Sequence, residues 1–432
     1  MADDTVSMAT ERIARLSYGK LVAMLAVRSR DVAAAEDALG GALVRALGEW
    51  PRLGVPANPE AWLVTVARRI DADRWRRVVT AAKGADRWLM QEDERLTAED
   101  FEVPDDRLRL MLVCAHPAID PDMRTALMLQ VVLGIDARRI GSAFLIAPAT
   151  MGQRLSRAKA RIADAGLRFQ MPDRSALPER IESVLAAIYA AYTLGWDLAF
   201  VDADRSMDLV EEAIWLVRLV IELAPGNAEA LALLSLLLFA EARRAARRDP
   251  ATGDFVPLSE QDTARWDGGL IAEAERMLRQ AGAAGGRGRF GYEAAIQAVH
   301  ANRRVTGTTD WSAIEQLYRG LLSVSPTIGA HIGHAVAAAE TIGAASALSL
   351  LDAIPDALVA AHQPYWVARA HVLDRANETR RAVEAYACAI GLTEDAASRR
   401  FLTRRQAMIR GGSAAQHRAR SAASPQGSRS GR

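Results

Sequence analysis

Basic and polar side chains recur at helical spacing between residues 148 and 162. Intervals of three and four residues place them on adjoining faces of one helix. Guanidinium groups neutralise phosphates, and Arg and Gln side chains hydrogen-bond to base edges in the major groove. A solvated basic helix would show the same spacing. The DNA-binding interpretation assigns the contacts to Thr150, Gln153, Arg154, Arg157, Lys159 and Arg161.

A second basic segment covers residues 68–87, with seven basic and three acidic side chains. An aromatic side chain among arginines suits stacking on unpaired bases, although Trp75 could instead pack against a neighbouring helix. Residues 91–107 carry eight acids and two arginines, which predicts a solvated linker. Two basic units joined by an acidic linker suggest two-point binding to one nucleic acid. The contacts predicted in the second segment are Arg68, Arg69, Arg74, Trp75, Arg76 and Arg77.

No residue pattern typical of an enzyme or a metal site is visible. The seven histidines are scattered, no Cys-x-x-Cys or His-x-x-x-His pair occurs, and no glycine-rich phosphate loop follows a strand. Cys114 and His116 lie near each other beside a helix end without a third partner, so we interpret them as core or capping residues. We predict no catalytic residues, no metal and no cofactor.

The elements that must position these side chains are helices. Apolar residues recur at helical spacing almost throughout and strand signals are scarce, so we predict an all-α fold. Asp31 is a predicted N-cap, and Pro59 is expected at the first position of the following helix. Helices are predicted at residues 121–134, 136–144 and 148–167, the last two forming a helix-turn-helix. The core face of the last helix would consist of Met151, Leu155, Ala158 and Ile162.

The second half of the chain has a different organisation. Beyond residue 172, amphipathic helices follow one another to about residue 410. The small/large/small series Ala382, Tyr386 and Ala389 is typical of a tetratricopeptide repeat, and an irregular helical bundle is the alternative. Residues 411–432 contain no acid and are rich in Gly, Ser and Ala, which predicts a disordered tail.

Length, charge and hydropathy limit the possible domain organisation and location of the protein. A chain of 432 residues is long enough for several domains, and its net charge of +1 averages over segments of opposite sign. No apolar run reaches the roughly 18 to 20 residues of a membrane span, and the first residues lack the pattern of a secretion signal. We therefore expect a soluble, cytoplasmic protein that makes no membrane contact.

Two segments carry a family resemblance. Residues 31–77 read DVAAAEDALGGALVRALGEWPRLGVPANPEAWLVTVARRIDADRWRR, and residues 105–162 end in ATMGQRLSRAKARI. Both resemble bacterial RNA polymerase sigma factors of the extracytoplasmic-function (ECF) type, in the group with a C-terminal helical-repeat extension. The resemblance covers about residues 12–410 and implies five parts. These are sigma region 2 at residues 8–80, an acidic linker at 81–105, sigma region 4 at 106–168, a TPR-like extension at 175–410 and a disordered tail at 411–432.

The resemblance also implies roles for individual residues. Asp31, Glu36 and Asp37 would dock on the RNA polymerase core enzyme. Asn58 lies in a loop that would capture a flipped base of the minus-10 promoter element, next to the basic helix of residues 68–77. The face at residues 150–161 would read the minus-35 element. The implied partners are core polymerase, promoter DNA, and a protein or peptide on the extension, which would regulate the factor.

Two other functions fit parts of the pattern. A helix-turn-helix transcriptional regulator with a ligand- or protein-binding helical domain would bind duplex DNA without polymerase. A helical-repeat scaffold with incidental basic helices would have no DNA affinity. The acids at Glu36 and Asp37, within the region-2 resemblance, favour the sigma factor over the regulator.

Overall fold

A computed structural model of the chain describes residues 17–29, 31–81, 105–144, 146–164, 172–198, 203–393 and 395–422. Regular structure in these ranges is helical, without a strand, and one isolated antiparallel bridge joins Arg248 to Phe255. The prediction of an all-α fold is confirmed. The chain forms two compact units, Met1–Pro225 and Gly226–Arg432.

Nine α-helices are described in the first unit. They are α1 Tyr18–Ser29, α2 Val32–Leu53, α3 Pro59–Ala81, α4 Asp106–Cys114, α5 Pro121–Val131, α6 Ala137–Ala143, α7 Pro148–Asp164, α8 Leu177–Leu198 and α9 Ala203–Leu223. Aspartates cap several of them, because a carboxylate accepts from the amides that a first turn leaves unpaired. Asp31, Asp120 and Asp136 each accept a backbone N–H in this way, and Pro59 is the first residue of its helix as predicted.

Apolar stripes at helical spacing form the core of this unit. Helices α1, α2 and α3 pack together, and Trp50 of α2 meets Trp62 of α3 edge to face, with ring centroids 5.4 Å apart. Helix α1 also packs against α4 and α5, and α2 against α7. The helices assigned to region 2 therefore share a core with those assigned to region 4.

Helices α8 and α9 belong to the first unit, although the predicted extension begins at residue 175. The Arg124 side chain is buried; it donates to the carbonyl of Ile119 at 3.2 Å and contacts the Glu179 carboxylate at 3.3 Å. Arg180 donates to the carbonyl of Leu112 at 3.1 Å, so α8 is attached to both α4 and α5. The start of the predicted extension thus does not coincide with the boundary between the units.

Ten further α-helices are described in the second unit. They are α10 Ala228–Glu241, α11 Gly268–Ala283, α12 Arg289–Thr306, α13 Trp311–Val324, α14 Ile328–Thr341, α15 Ala344–Asp352, α16 Asp356–Val359, α17 Gln363–Arg375, α18 Thr379–Leu392 and α19 Ala396–Ala422. Residues 230–239 of α10 are buried on every side, as expected of a helix that is apolar all round. It packs between α11 and α12.

Small residues admit tyrosine rings between successive helices of the second unit. Tyr292 of α12 lies so close to Gly320 of α13 that a Cβ atom would overlap its ring. The same relation joins Tyr318 of α13 to Gly333 of α14. Helices α17 and α18 pack on each other through buried small and large residues at the predicted positions. Those residues are Ala370, Leu373, Ala382, Tyr386 and Ala389.

The last helix is fixed to its unit by an ion-pair cluster. Asp254, whose side chain is buried, contacts Arg400 at 2.6 Å and Arg404 at 2.5 Å. Helix α19 continues to Ala422, so residues 411–422 are helical where the sequence predicted a disordered tail. Ala, Arg and Gln, which favour helices, extend the preceding helix there. Residues 423–432, and residues 82–104 of the predicted linker at 81–105, lie outside the described residues.

Among the described helices, none combines the length and apolar character needed to cross a membrane. Within the same ranges, His, Cys, Asp and Glu side chains form no group of three or more that could hold a metal ion.

Candidate nucleic-acid interface

Helices α6 and α7 meet at the short turn that the sequence predicts. Gly141 of α6 lies against this turn, where a Cβ atom would be 2.6 Å from the carbonyl oxygen of Ile146 and 3.6 Å from the Cβ of Met151. Only a residue without a side chain allows this approach. Helix α7 begins two residues after Ile146, and α6 and α7 pack along each other.

Helix α7 has two faces of different character. Met151, Leu155, Ala158 and Ile162 are buried, as their spacing predicts. The opposite face carries exposed polar and basic side chains that no described element covers. Its predicted DNA contacts are Thr150, Gln153, Arg154, Arg157 and Arg161. A helix with this division can insert its polar face into a groove while its apolar face stays in the domain.

The described surface of the first unit includes clefts of about 380 and 600 Å³, and the larger of these adjoins this face. Arg154, Arg157 and Arg161 of α7 line it. Asp120 and Asp122, at the N-terminal end of α5, also line the cleft. The cleft therefore combines guanidinium groups with carboxylates, and a polyanion would bind the guanidinium groups where they face solvent.

Lys159 is the exception among the predicted contacts of α7. Its Nζ atom lies 2.6 Å from Oε2 of Glu36 on α2, and the two side chains are only 16% and 13% exposed. The sequence analysis predicts that Lys159 contacts DNA and that Glu36 contacts polymerase. In the structure the two side chains instead form an ion pair with each other. Of the other two acids assigned to polymerase, Asp37 is exposed, whereas Asp31 is the N-cap of α2.

The predicted contacts of α3 lie on an exposed part of the first unit. Arg68, Arg69, Arg74 and Arg76 are exposed, while the side chains of Trp75 and Arg77 lie outside the described part of the chain. Arg74 approaches Asp31 at 3.9 Å, and Arg76 contacts Asp73 at 2.9 Å.

Asn58 precedes α3, and its Oδ1 atom accepts from the backbone N–H of Ala61 at 3.0 Å. The side chain assigned to base capture thus caps a helix in this structure.

Sequence reasoning missed an exposed apolar strip on α2 and the loop after it. Val44 and Leu53 are 71% and 75% exposed, and Leu47 and Val55 are 49% and 38% exposed. A signal was present, because Val44 and Leu47 are three residues apart and fall off the buried series that contains Ala42 and Ala46. Val44 and Leu47 lie one turn apart on α2 and form a small exposed apolar surface, and larger patches of that kind mark protein-binding sites.

Cys114 and His116 have the structural roles that the sequence predicts. Burial, with the nearby carboxylate of Glu36, raises the pKa of the Cys114 thiol to about 12, so the thiol stays protonated. His116 accepts from the backbone N–H of Ala118 at 3.0 Å through Nδ1. Burial, together with Arg180 and Arg124, lowers the pKa of His116 and keeps this acceptor neutral.

Comparison with known proteins places the chain in a family. Residues 180–282, from α8 to α11, match a family of unknown function, DUF6596. An uncharacterized protein of Rhizobium meliloti (strain 1021) is 34% identical over 379 residues, which span 86% of this chain and 89% of the relative. A similarity of this extent reaches across both units. The chain therefore belongs to the same family as this Rhizobium meliloti protein.

Proposed function

We propose that the protein is a sigma factor of the ECF type, a subunit that directs bacterial RNA polymerase to particular promoters. The observation that carries the proposal is the division of α7 into a buried apolar face and an exposed face of Thr, Gln and Arg side chains. The resemblance of residues 31–77 and 105–162 supports it. On this proposal the protein is a binding subunit in the cytoplasm and not an enzyme.

The proposed DNA contact follows from the chemistry of α7. Arg154 and Arg157 can neutralise phosphates or donate two hydrogen bonds to a guanine, and Gln153 can pair with an adenine edge. Contacts to phosphate fix the position of the helix, and contacts to bases give sequence preference. The exposed arginines of α3 would act on the second promoter element, where strand opening exposes unpaired bases.

The proposed polymerase contact lies on α2. Asp37 is exposed there, and the apolar strip of Val44 and Leu47 offers uncovered surface on the same helix. A protein partner would bury this strip, and each square ångström of apolar area removed from water contributes about 25 cal/mol. We propose that the second unit regulates the factor through a protein or peptide partner, because stacked helices present extended binding surfaces.

The test is transcription by core RNA polymerase with the purified full-length chain. We expect initiation from a promoter that core polymerase alone ignores. Replacing Arg154 and Arg157 by Ala should lower promoter affinity by about tenfold or more, since each specific base contact contributes about 1 to 3 kcal/mol. It should also reduce the slope of log affinity against log salt by up to about 1.8, at roughly 0.9 for each phosphate that is no longer neutralised.

A matched control is available on α11. Arg276 and Arg279 have the same spacing of three residues, and both are exposed. Their double replacement by Ala removes the same charge from the second unit and should leave promoter affinity unchanged. If both double variants lost the same promoter affinity, the loss would result from total charge and not from the position of the arginines. If the wild-type chain did not initiate transcription with core polymerase, the proposal would be refuted.

One observation favours the alternative of a helix-turn-helix regulator with a ligand-binding domain. The second unit contains an apolar cavity of about 390 Å³, within the size range of small-molecule sites. Phe255, Val336, Val367 and Phe401 are among its lining residues. Such a regulator would bind its DNA site without core polymerase, so promoter binding that needs no polymerase would favour this alternative.

A further inference from the structure

The apolar cavity of the second unit lies between three helices and a loop. Its volume is about 390 Å³, and its lining residues come from α14, α17, α19 and the loop at Phe255. Val336, Val367 and Phe401 line it and remain partly exposed. A cavity of roughly 150 Å³ with a lining of Leu, Ile and Phe takes up benzene, so this one has room for about two fused aromatic rings.

An aromatic pair in the cavity wall adjoins a charged cluster. The rings of Phe255 and Phe401 meet edge to face, with centroids 5.5 Å apart and an angle of 77° between their planes. The residues that precede them in the chain, Asp254 and Arg400, contact each other at 2.6 Å. Arg404, one turn further along α19, contacts Asp254 at 2.5 Å. Guanidinium groups therefore stand directly beside the aromatic wall of the cavity.

The charges of this cluster do not balance. Two guanidinium groups, of Arg400 and Arg404, share the single carboxylate of Asp254, which leaves a net charge of +1. The Asp254 side chain is 8% exposed, whereas each of the two arginine side chains is 54% exposed. A guanidinium group has five N–H donors and forms strong, charge-assisted hydrogen bonds to carboxylates. The solvent-facing side of the cluster is therefore suited to a second carboxylate.

Two other carboxylates near the cavity are each balanced by one arginine. Glu340 contacts Arg375 at 3.0 Å and lies 3.7 Å from Nε2 of His371, which lines the cavity. Glu260 contacts Arg405, whose guanidinium group lies over the Phe401 ring. An anion would therefore be attracted to the cluster at Asp254 more than to these positions.

We propose that the second unit binds a small aromatic carboxylate, with its rings in the cavity and its carboxylate on Arg400 and Arg404. The rings would leave water and meet Phe255 and Phe401 edge to face, which aromatic pairs favour. Apolar walls with a few placed polar groups are typical of small-molecule sites. The inference goes beyond the proposed function and does not rest on it, because every residue of the site lies in the second unit.

The test uses 2-naphthoate, which has two fused rings and one carboxylate, and its neutral analogue 2-naphthamide. Titration of the full-length chain, followed by NMR of the ligand, should give a Kd of about 1 mM or below for 2-naphthoate. The neutral analogue should bind about tenfold more weakly or less, because it lacks the charge-assisted contact. At ten times the Kd, bound 2-naphthoate should slow amide exchange in α17 and α19 about tenfold, with α1 to α7 unchanged.

Two variants assign the site to these residues. Val367→Trp fills the cavity and should abolish binding, whereas Val305→Trp, at an exposed position of α12, is the matched control. Arg404→Gln should lower affinity for 2-naphthoate about tenfold and leave affinity for 2-naphthamide unchanged. Arg410→Gln removes the same charge from an exposed position of α19 and should change neither. Circular dichroism verifies folding, and Arg404→Gln carries the test if Val367→Trp does not fold.

Four outcomes would overturn the proposal. The first is unchanged amide exchange in α17 and α19 at saturating 2-naphthoate. The second is equal affinity for the acid and the amide, and the third is an equal loss of affinity in Arg404→Gln and Arg410→Gln, which would indicate total charge. The fourth is protection of the same helices by an acidic peptide with apolar side chains but not by 2-naphthoate. Initiation of transcription tests the proposed function separately, so neither result decides the other.

Discussion

Arg107 joins helix α4 to helix α9 in the first unit, and its replacement by Gln should destabilise both helices. Its Nη1 atom lies 2.5 Å from Oε1 of Glu212 on α9, and its guanidinium group stacks 3.9 Å from the ring centroid of Trp215. The side chain is only 15% exposed. A hydrogen bond to a charged group contributes about 1.5 to 3 kcal/mol, and a cation–π contact about 0.5 to 1 kcal/mol or more. The expected decrease in stability is about 2 to 4 kcal/mol.

Hydrogen exchange measured by mass spectrometry would report this decrease locally. At about 1.4 kcal/mol for each factor of ten, amides of α4 and α9 should exchange about 30- to 700-fold faster in Arg107→Gln. Helices α10 to α18 serve as an internal reference, because they belong to the other unit. Arg45→Gln, at an exposed position of α2, is the matched control and should change little. A change below about threefold in α4 and α9 would refute the reasoning.

The effect of Arg107→Gln should also depend on pH. Burial raises the pKa of Glu212 above its ordinary value of 4.5, against the attraction of Arg107. A carboxyl whose pKa is raised by folding stabilises the fold when protonated, and that contribution is lost as pH rises through the folded-state pKa. Without Arg107 the pKa rises further, because the attraction is gone. The difference from wild type should therefore shrink as pH falls from 7 towards 5, and a difference that grows would contradict this account.

Two predictions concern the second unit. Gly333→Ala should destabilise the second unit by about 1 to 3 kcal/mol, because a Cβ atom would overlap the Tyr318 ring. Gly329→Ala, on the same helix, is the control and should not destabilise it, because a Cβ atom there meets open space. Thermal unfolding of the two variants measures the difference. Hydrogen bonds from Arg400 and Arg404 of α19 lower the pKa of Asp254 to about 2. The contribution of this carboxylate to the free energy of unfolding is therefore present above its ordinary pKa of 3.8 and is lost as pH falls towards 2. Urea midpoints should show this acid destabilisation in the wild type, and Asp254→Asn should reduce it.

Local patterns in the sequence predicted the helices and the faces of α7 correctly. Met151 and Leu155 are buried because apolar residues that recur with the helical period of 3.6 residues fall on one face of α7, and that face packs into the core. The caps at Asp31 and Asp136 are equally local, since a capping side chain reaches only two or three residues. These parts of the fold depend on neighbours in the chain, which the sequence displays directly.

Contacts between distant residues escaped prediction for a physical reason. Lys159 and Glu36 are 123 positions apart, and in the sequence each looks like an ordinary solvated surface residue. Only the packing of α2 on α7 brings the two side chains together. Arg124 and Glu179, which attach α8 to α5, are likewise ordinary polar residues in the sequence. Gly19 reveals its role only when Val132 is placed against it. Such contacts follow from the arrangement of whole helices, for which one sequence contains no direct signal.

The attachment of α8 and α9 to α4 and α5 has a consequence for synthesis of the chain. The ribosome completes α7 at Asp164, but the helices that cover the apolar faces of α4 and α5 end only at Leu223. At about 5 to 20 residues per second, this interval of about 60 residues takes roughly 3 to 12 s. During that time the first unit has an incomplete core. We therefore expect the nascent chain to expose the apolar faces of α4 and α5 during this interval, and rare codons between residues 165 and 223 would lengthen it.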